Sequence, residues 1–575
     1  MTKFKVFVSS ALVLMSICAE SQILNIPQKH LENETFTYEE LIGHYQNLAD
    51  SSERCVLIEL GISDAGFPIH ALIATNAAVS EENIDQLRAT RWVLAINNGI
   101  HPGESCGVDA SLHFINDYLS KPFDDLSNEM IVIVPMYNIG GSLNRRPHTR
   151  ANQDGPNSQG FRGNARNYDL NRDLLKADTR NTLALYELFK RFDPEVFVDT
   201  HSTNGADYPY EMTLIASPWQ KYPKPMQSVV QRFEDSLYTN VTDRGTLISP
   251  YINVFGRTPN EGFPMFVEGA MYTTGYAALH GSVAFVTEAH MLKPYDVRVR
   301  TTRDFLEATL ELGGQFQFEI ADTRAQARAE WKDRQVIDWE IDEEQADTLD
   351  FMVFEAGFEV SDVTGFDRLK YENEIEEVRV PYFNRLKPAL TIVVPEYYYI
   401  PVGQWEMLER FAAVGIEMEE FTSVADPNLP VKQFHVDSYT LAERPYEGHV
   451  RLENLDVSLT RRVLPAGKYM RISTKQEQGR YLQEVLHPLA PSSFAHWNMF
   501  SAYLQQKEHY SEYVFEDTAK KLLEENEDLK EAFEEKLESD QAFANNPHAQ
   551  LYFIYTNSEY YEPEHMHLPY YLSWD

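Results

Sequence analysis

Cysteine is scarce: the 575-residue chain has three, at positions 18, 55 and 106. That is too few for a scaffold built on disulfides. Positive charge is also in short supply, with 50 Lys and Arg against 88 Asp and Glu and a formal net charge of −38. A nucleic-acid-binding chain needs a basic footprint, so this balance excludes that class of partner. The acidity itself reads as solubility or a salty habitat. Past the first twenty residues there is no long apolar run, so no transmembrane segment is expected. There is neither an internal repeat nor a low-complexity linker. What is present, 43% hydrophobic and 12% aromatic residues, describes an ordinary globular protein. The length predicts two or three domains.

The start of the chain reads as an address. Lys3 and Lys5 precede an apolar stretch, Val6 to Ile17, and Ala19-Glu20-Ser21 supplies small residues at the cleavage positions. This pattern predicts a signal peptide over 1–21, a mature start at Gln22, and a secreted or periplasmic location. A lipid-modified Cys18 is the alternative, which Met15-Ser16-Ile17 fits poorly. Export permits a Cys55–Cys106 disulfide; two buried thiols fit the sequence equally.

The spacing of apolar residues predicts a helix over 36–50 with Thr37 as N-cap, and strands over 55–60 and 68–74. Buried strands follow at Trp92–Ile96, Met130–Pro135, Glu195–Asp199 and Ser282–Thr287, with a helix over 179–191 and a long polar helix over 298–332. Near-continuous apolar strands alternating with helices predict an α/β fold, a mixed and mostly parallel sheet sandwiched by helices. From about 345 the texture changes to short alternating runs with several prolines, which predicts a β-rich region; 403–421 reads as a helix followed by a strand. From 495 to 540 the pattern is helical and rich in Lys and Glu, ahead of an aromatic tail. The expected division is 22–335, a catalytic domain; 336–500, a β-rich accessory domain; and 501–575, a helical and aromatic C-terminal segment.

One stretch organises the rest: Arg91 to Cys106, RWVLAINNGIHPGESC. His101 and Glu104 stand three apart after a buried strand. At the C-terminal end of a sheet strand both can face one point in the cleft where open α/β sheets place ligands. An imidazole nitrogen with a carboxylate oxygen is a normal pair of zinc ligands. His509 and Glu512 repeat the spacing inside a solvated helical pattern, and only the strand and the Pro-Gly turn set the first pair apart. His201 follows the strand EVFVD. Two His and one Glu with an open fourth position form a catalytic zinc set of the kind that binds and acidifies a water. Glu288 follows SVAFVT, where it can serve as the general base that passes the water's proton to the leaving nitrogen. Taken singly, each of these residues also fits a structural turn or a satisfied core histidine.

A polar loop over 141–169 leads into Phe161 to Arg172, FRGNARNYDLNR. An Arg can grip a carboxylate through two parallel hydrogen bonds, and a second can stabilise the oxyanion formed when water attacks a carbonyl. A surface loop whose Arg residues pair with nearby Asp fits the same letters.

With these pieces in this order, the sequence resembles the zinc metallocarboxypeptidases related to carboxypeptidase A and to carboxypeptidases D, E and M. The resemblance rests on His101-Pro102-Gly103-Glu104, the run Arg162 to Arg172, His201 and Glu288, and covers about residues 35–320. It implies one zinc ion per chain held by His101, Glu104 and His201, and a peptide substrate with a free C-terminal carboxylate gripped by Asn171 and Arg172. It further implies Arg162 polarising the scissile carbonyl and Glu288 as the base. The family's mobile tyrosine corresponds to Tyr276 or Tyr272, of which Tyr276 is preferred. Asn167-Tyr168 stands where the family usually has a Gly, and Ser202 follows the zinc His where many members have Gly. The region after about 345 lies outside the common catalytic domain.

Three other readings compete. Gly103-Glu104-Ser105-Cys106-Gly107 fits the nucleophile elbow of a serine hydrolase using Ser105, although Asn97 to Pro102 separates it from the strand and no His-Gly-Gly segment is present. A zinc-dependent N-acyl amino acid deacylase or cell-wall peptide amidase would use the same ligands. A binding module with a degenerate site would need one of them missing.

Overall fold

Thr37 opens the first long helix, Tyr38–Ser51. Its side chain accepts from the Glu40 backbone while the Glu40 side chain accepts from the Thr37 backbone, a capping box that satisfies two of the donors a helix leaves unpaired at its start. The computed structural model describes residues 24–122, 128–203, 205–330 and 332–574. The expected signal peptide and Cys18 lie outside them.

An eight-stranded mixed sheet follows. Its strands are β1 (Cys55–Ile62), β2 (Pro68–Thr75), β3 (Trp92–Asn98), β4 (Glu129–Val134), β5 (Val196–Ser202), β6 (Met212–Ala216), β7 (Ile248–Pro250) and, after the two-residue β8 (Phe263–Pro264) of another sheet, β9 (Val283–Ala289). The order is β1-β2-β4-β3-β5-β9-β6-β7. The central strands β4, β3, β5 and β9 run parallel. Antiparallel pairs flank them on both sides. Every residue of β3, β4 and β5 is buried, which is why these strands read as unbroken apolar runs. Helices cover both faces. Phe233 of Lys224–Asp243 and Phe305 of Tyr295–Ala329 pack on Phe285. On the other face Phe189 of Arg180–Phe192 packs on Phe197.

The chain leaves β3 to form β4 on one side and β5 on the other, so the C-terminal end of β3 is a topological switch point, where such sheets open a crevice. Helix Cys106–Ser120 runs close to β5 here: a Cβ on Gly107 would lie 2.0 Å from Thr200 Oγ1, so only glycine permits the approach.

The β-rich region is built from β10 (Arg334–Ile341), β11 (Asp347–Val360), β12 (Asp367–Phe383), β13 (Leu386–Val393), β14 (Tyr397–Pro401), β15 (Glu419–Thr422), β16 (Pro430–Leu441), β17 (Leu452–Val463) and β18 (Lys468–Ser473). The last strand, β19 (Tyr571–Ser573), returns from the helical C-terminal segment into the six-stranded sheet β15-β18-β14-β19-β16-β17. The helix expected from 495 begins at Glu512. Phe494, Trp497 and Phe500 have helical spacing but anchor an irregular stretch, all three buried. Cys55 and Cys106 are separate buried thiols. No helix among the described residues is long and apolar enough to cross a membrane.

The two regions share one continuous apolar core, in which Phe411 and Phe434 join the residues of the eight-stranded sheet. They are also tied by charge. Fully buried Lys176 pairs with Asp173 (2.6 Å) and Asp178 (3.0 Å), and Asp178 also takes Arg410 (3.2 Å) and His449 (2.6 Å) from the β-rich region. Burial pushes the Asp178 carboxyl up, but the His449 hydrogen bond and the Lys176 charge outweigh it and hold it at about 2, against 3.8 ordinarily. A depressed carboxylate stabilises the fold above its unfolded value and loses that contribution as pH falls towards the folded one, here about 2 kcal/mol. Asp178→Asn is therefore expected to melt below wild type at pH 6, with the gap closing between pH 4 and pH 2. A gap that stays constant with pH would contradict this account.

Candidate metal centre and substrate cleft

The site begins where β3 stops. Gly99 turns the chain with φ +69°, and a Cβ there would lie 2.6 Å from Met136 Sδ. Glu104 N donates to His101 O (2.8 Å), closing the Pro-Gly turn and bringing both side chains to one side. β5 and β9 extend past their apolar stretches, so His201 and Glu288 lie within strands and sit opposite each other in the parallel register. In a parallel pair such neighbours share a face.

His101 Nδ1 lies 3.4 Å from Glu104 Oε1, and His201 Nδ1 lies 3.0 Å from Glu104 Oε2. The imidazole rings are 4.9 Å apart. Each ring is anchored through its other nitrogen: His101 Nε2 on Asp169 Oδ1 (3.0 Å), His201 Nε2 on Asp199 Oδ2 (2.9 Å). Asp199 is itself held by Asn97 Nδ2 (3.0 Å) and Thr273 Oγ1 (2.7 Å). Three ligand atoms thus lie within 4.8 Å of one another, all on buried residues. Two imidazoles and a carboxylate suit zinc, and carboxylates behind the rings are the supports that metal-binding histidines use. Burial alone would raise the Glu104 carboxyl; Arg150, 2.6 Å away, together with His101 and His201, holds it far below its usual range. Burial would lower His201, but Asp199 and Glu104 raise it well above an ordinary histidine.

Glu288 faces the same cleft. Burial, with Glu104 and Glu268 nearby, pushes its carboxyl up to about 8 against the pull of His201. Its Oε2 is buried with no hydrogen-bond partner. Arg162, whose side chain is 44% exposed, lies on the open side; its Nε donates to Asp169 Oδ2 (2.9 Å). Asp169 therefore links His101 to Arg162. Burial would raise its carboxyl, but His101, Arg162 and Arg172 hold it well below the carboxylate range. Asn171 is buried and accepts from Thr273 N (3.1 Å). Arg172 lies 4.4 Å over the Tyr272 ring.

His101, Glu104, Arg162, Asn171, Arg172, His201 and Glu288 all line one cavity of about 530 Å³. Tyr276 does not. It is fully buried in the core, stacked on Tyr186 (5.1 Å, 18°) and edge-on to Phe189, whereas Tyr272 lines the cavity. Both belong to one short segment, Tyr272 capping the helix Thr273–Leu279 and Tyr276 one turn inside it, so spacing gave no means of choosing. The segment 256–276 also supplies Phe266 and Glu268 to the cavity wall.

Sequence reasoning missed several contributors. Asp199 stands two residues before His201 on one strand face, a legible signal. Arg150 falls inside the Arg-rich stretch from Arg145 to Arg172, which reads as an anion site, but nothing local marks it as the partner of Glu104. Glu268 gave no signal and is buried at the cavity wall, where it accepts from the Thr274 hydroxyl. Ser105 is buried and its hydroxyl faces that of Tyr295 (3.1 Å), which also reaches Asp109. This arrangement does not favour the serine-hydrolase reading. Glu512 pairs with His548 on the surface, away from the cleft.

The profile of a family described as zinc carboxypeptidase matches residues 43–333. "Probable carboxypeptidase 2" of Trichophyton verrucosum is 28% identical over 138 residues, 24% of this chain and 23% of that protein. "Carboxypeptidase 2" of Trichophyton rubrum is 28% identical over 169 residues, 28% of each chain. The matched stretch thus spans about a quarter of these curated relatives. Among solved structures, a metallo-carboxypeptidase from Pseudomonas aeruginosa has 17% identity and a TM-score of 0.37, covering 50% of this chain and 70% of that one. Carboxypeptidase A from Helicoverpa armigera has 14% identity and the same TM-score, covering 52% and 75%.

Proposed function

The chain belongs to the zinc carboxypeptidase family, and from that membership we propose that it is a zinc-dependent exopeptidase that removes the C-terminal residue of peptides. The observation that carries the proposal is the convergence in one cavity of a metal-ligand set, a carboxylate with one buried and unpaired oxygen, Glu288 Oε2, and the cationic side chains of Arg162 and Arg172.

His101, Glu104 and His201 would hold one zinc ion, which when bound supplies a Lewis acid able to activate water and polarise a carbonyl. Asp169 and Asp199 fix the two rings with Nδ1 towards the centre. Glu288 takes the proton of the attacking water and delivers it to the leaving nitrogen. Arg162 donates to the oxyanion as the carbonyl becomes tetrahedral. Arg172 and Asn171 hold the terminal carboxylate, which registers the last peptide bond against Glu288. Tyr272, at the cavity wall beside Arg172, takes the covering role considered for Tyr276. The lysine-led apolar start of the chain supports export.

The test is zinc content with a panel of blocked dipeptides bearing free C-termini, with and without a chelator. One equivalent of zinc with chelator-sensitive release of the last residue is expected. Zinc-dependent release from N-acyl amino acids or cell-wall peptides, but not from dipeptides, would replace the exopeptidase with an amidase. Arg172→Ala is expected to raise KM for these dipeptides roughly 10- to 100-fold, the worth of hydrogen bonds to a charged group. An unchanged KM would remove Arg172 from carboxylate recognition.

A further inference from the structure

A loop from the β-rich region reaches the substrate cleft. Residues 442–451 join β16 to β17, and their tip is a two-residue turn: Tyr446 N donates to His449 O (2.8 Å) and His449 N to Tyr446 O (3.0 Å). Glu447 (φ 47°) and Gly448 (φ 82°) both take the left-handed conformation that such tight hairpins require. Four successive residues of the tip touch the segment 168–178. Tyr446 Oη accepts from Arg172 Nε (3.0 Å), and Glu447 Oε2 accepts from Asp169 N (2.8 Å). Gly448 lies so close to Tyr168 that a Cβ would fall 2.6 Å from its hydroxyl, and His449 pairs with Asp178 (2.6 Å).

Tyr446 is held in turn. Its ring stacks on that of buried Trp497 (6.0 Å, 9°) and carries the Arg451 guanidinium 4.8 Å above it. Arg172 is thereby fixed on three sides: Tyr446 at Nε, the Asn171 carbonyl at Nη1 (2.6 Å), and the Tyr272 ring beneath it (4.4 Å). An arginine side chain has many rotamers, and a ligand that must order it binds more weakly than one that finds it ordered.

We propose that Tyr446 is a positioning residue for substrate recognition: the β16–β17 hairpin holds the Arg172 guanidinium ready for the terminal carboxylate, which makes the β-rich region part of the substrate site. This rests on the reading of Arg172 as the carboxylate-binding residue. It gives a role to a region outside the zinc carboxypeptidase match. The contact is polar and placed at Nε, and with Nη1 donating to the Asn171 carbonyl it leaves Nη2 for the ligand.

The test is a double-mutant cycle on the full-length zinc-loaded protein, read as KM and kcat on blocked dipeptides. Tyr446→Phe removes only the hydroxyl and keeps the ring stacked on Trp497. KM is expected to rise roughly tenfold, as for one lost hydrogen bond to a charged group, with kcat and zinc content unchanged. In an Arg172→Ala background the same change is expected to have no effect, because it acts through the missing guanidinium. An unchanged KM in Tyr446→Phe, or an equal rise in both backgrounds, would overturn the proposal while leaving the exopeptidase reading intact. A wild-type protein that cleaves none of the dipeptides would overturn both.

Discussion

Glu288→Gln is expected to keep its zinc and lose activity by roughly a hundred- to ten-thousand-fold, the range for a general acid–base group. The substitution preserves size and removes the one property the reaction needs, an acceptor for the proton of water. The ligands are untouched, because Glu288 is a strand neighbour of His201 and not a member of the triad. Stability offers an independent check. In the metal-free chain the Glu288 carboxyl stands at about 8 against 4.5 ordinarily, with burial the main cause. A raised carboxyl leaves the fold unaffected below its unfolded value and increasingly disfavours it as pH rises towards the folded one. The metal-free Gln variant should therefore gain in melting temperature on metal-free wild type between about pH 4.5 and pH 8. Near wild-type turnover in the variant would refute the assignment of the base, and a gap independent of pH would refute the account of its burial.

The parts of the site that were legible are those written in local pattern. β3 is continuous and apolar because both its faces are covered, so the strand end and its Pro-Gly turn could be located and His101 and Glu104 with them. His201 and Glu288 were placed after their strands, whereas pairing continues through them; polar residues at a strand's end look like a loop when periodicity is the only guide. The Arg cluster from Arg145 to Arg172 reads as an anion site, but Asp169 within it is what joins His101 to Arg162, a role that only the fold displays. Tyr276 and Tyr272 differ by one turn of a short helix, and which of them faces the cleft depends on Tyr186 and Phe189, from a separate helix. Tyr446 lies 274 positions from Arg172, beyond the reach of any local signal. Local chemistry could be read from the chain, while contacts that close over long separations could not.

Removing one ring of the metal set has the other large expected effect. His201→Ala should bind no zinc at micromolar concentrations and show no measurable turnover, yet remain folded. The reason lies in how the remaining charges are partnered. Without the imidazole, Glu104 retains Arg150 at 2.6 Å on Oε1 and the Ser202 amide at 3.0 Å on Oε2. Asp199 retains Asn97 and Thr273. Neither carboxylate is left bare, so the loss should fall below the roughly 3–5 kcal/mol typical when a buried ion pair loses one member. Asp199→Asn makes the graded comparison. The ring stays, but its Nε2 loses the carboxylate that fixes its tautomer, and zinc affinity should fall about 10- to 100-fold, as for other supporting groups behind metal ligands. Activity in that variant should return when zinc is added in excess, which His201→Ala cannot do. The measurements are zinc competition against a chromophoric chelator and a melting curve for each metal-free protein. A His201→Ala protein that retains a full equivalent of zinc would move the metal elsewhere. One that fails to fold would show that the ring, and not the pairing around it, holds this end of the sheet together.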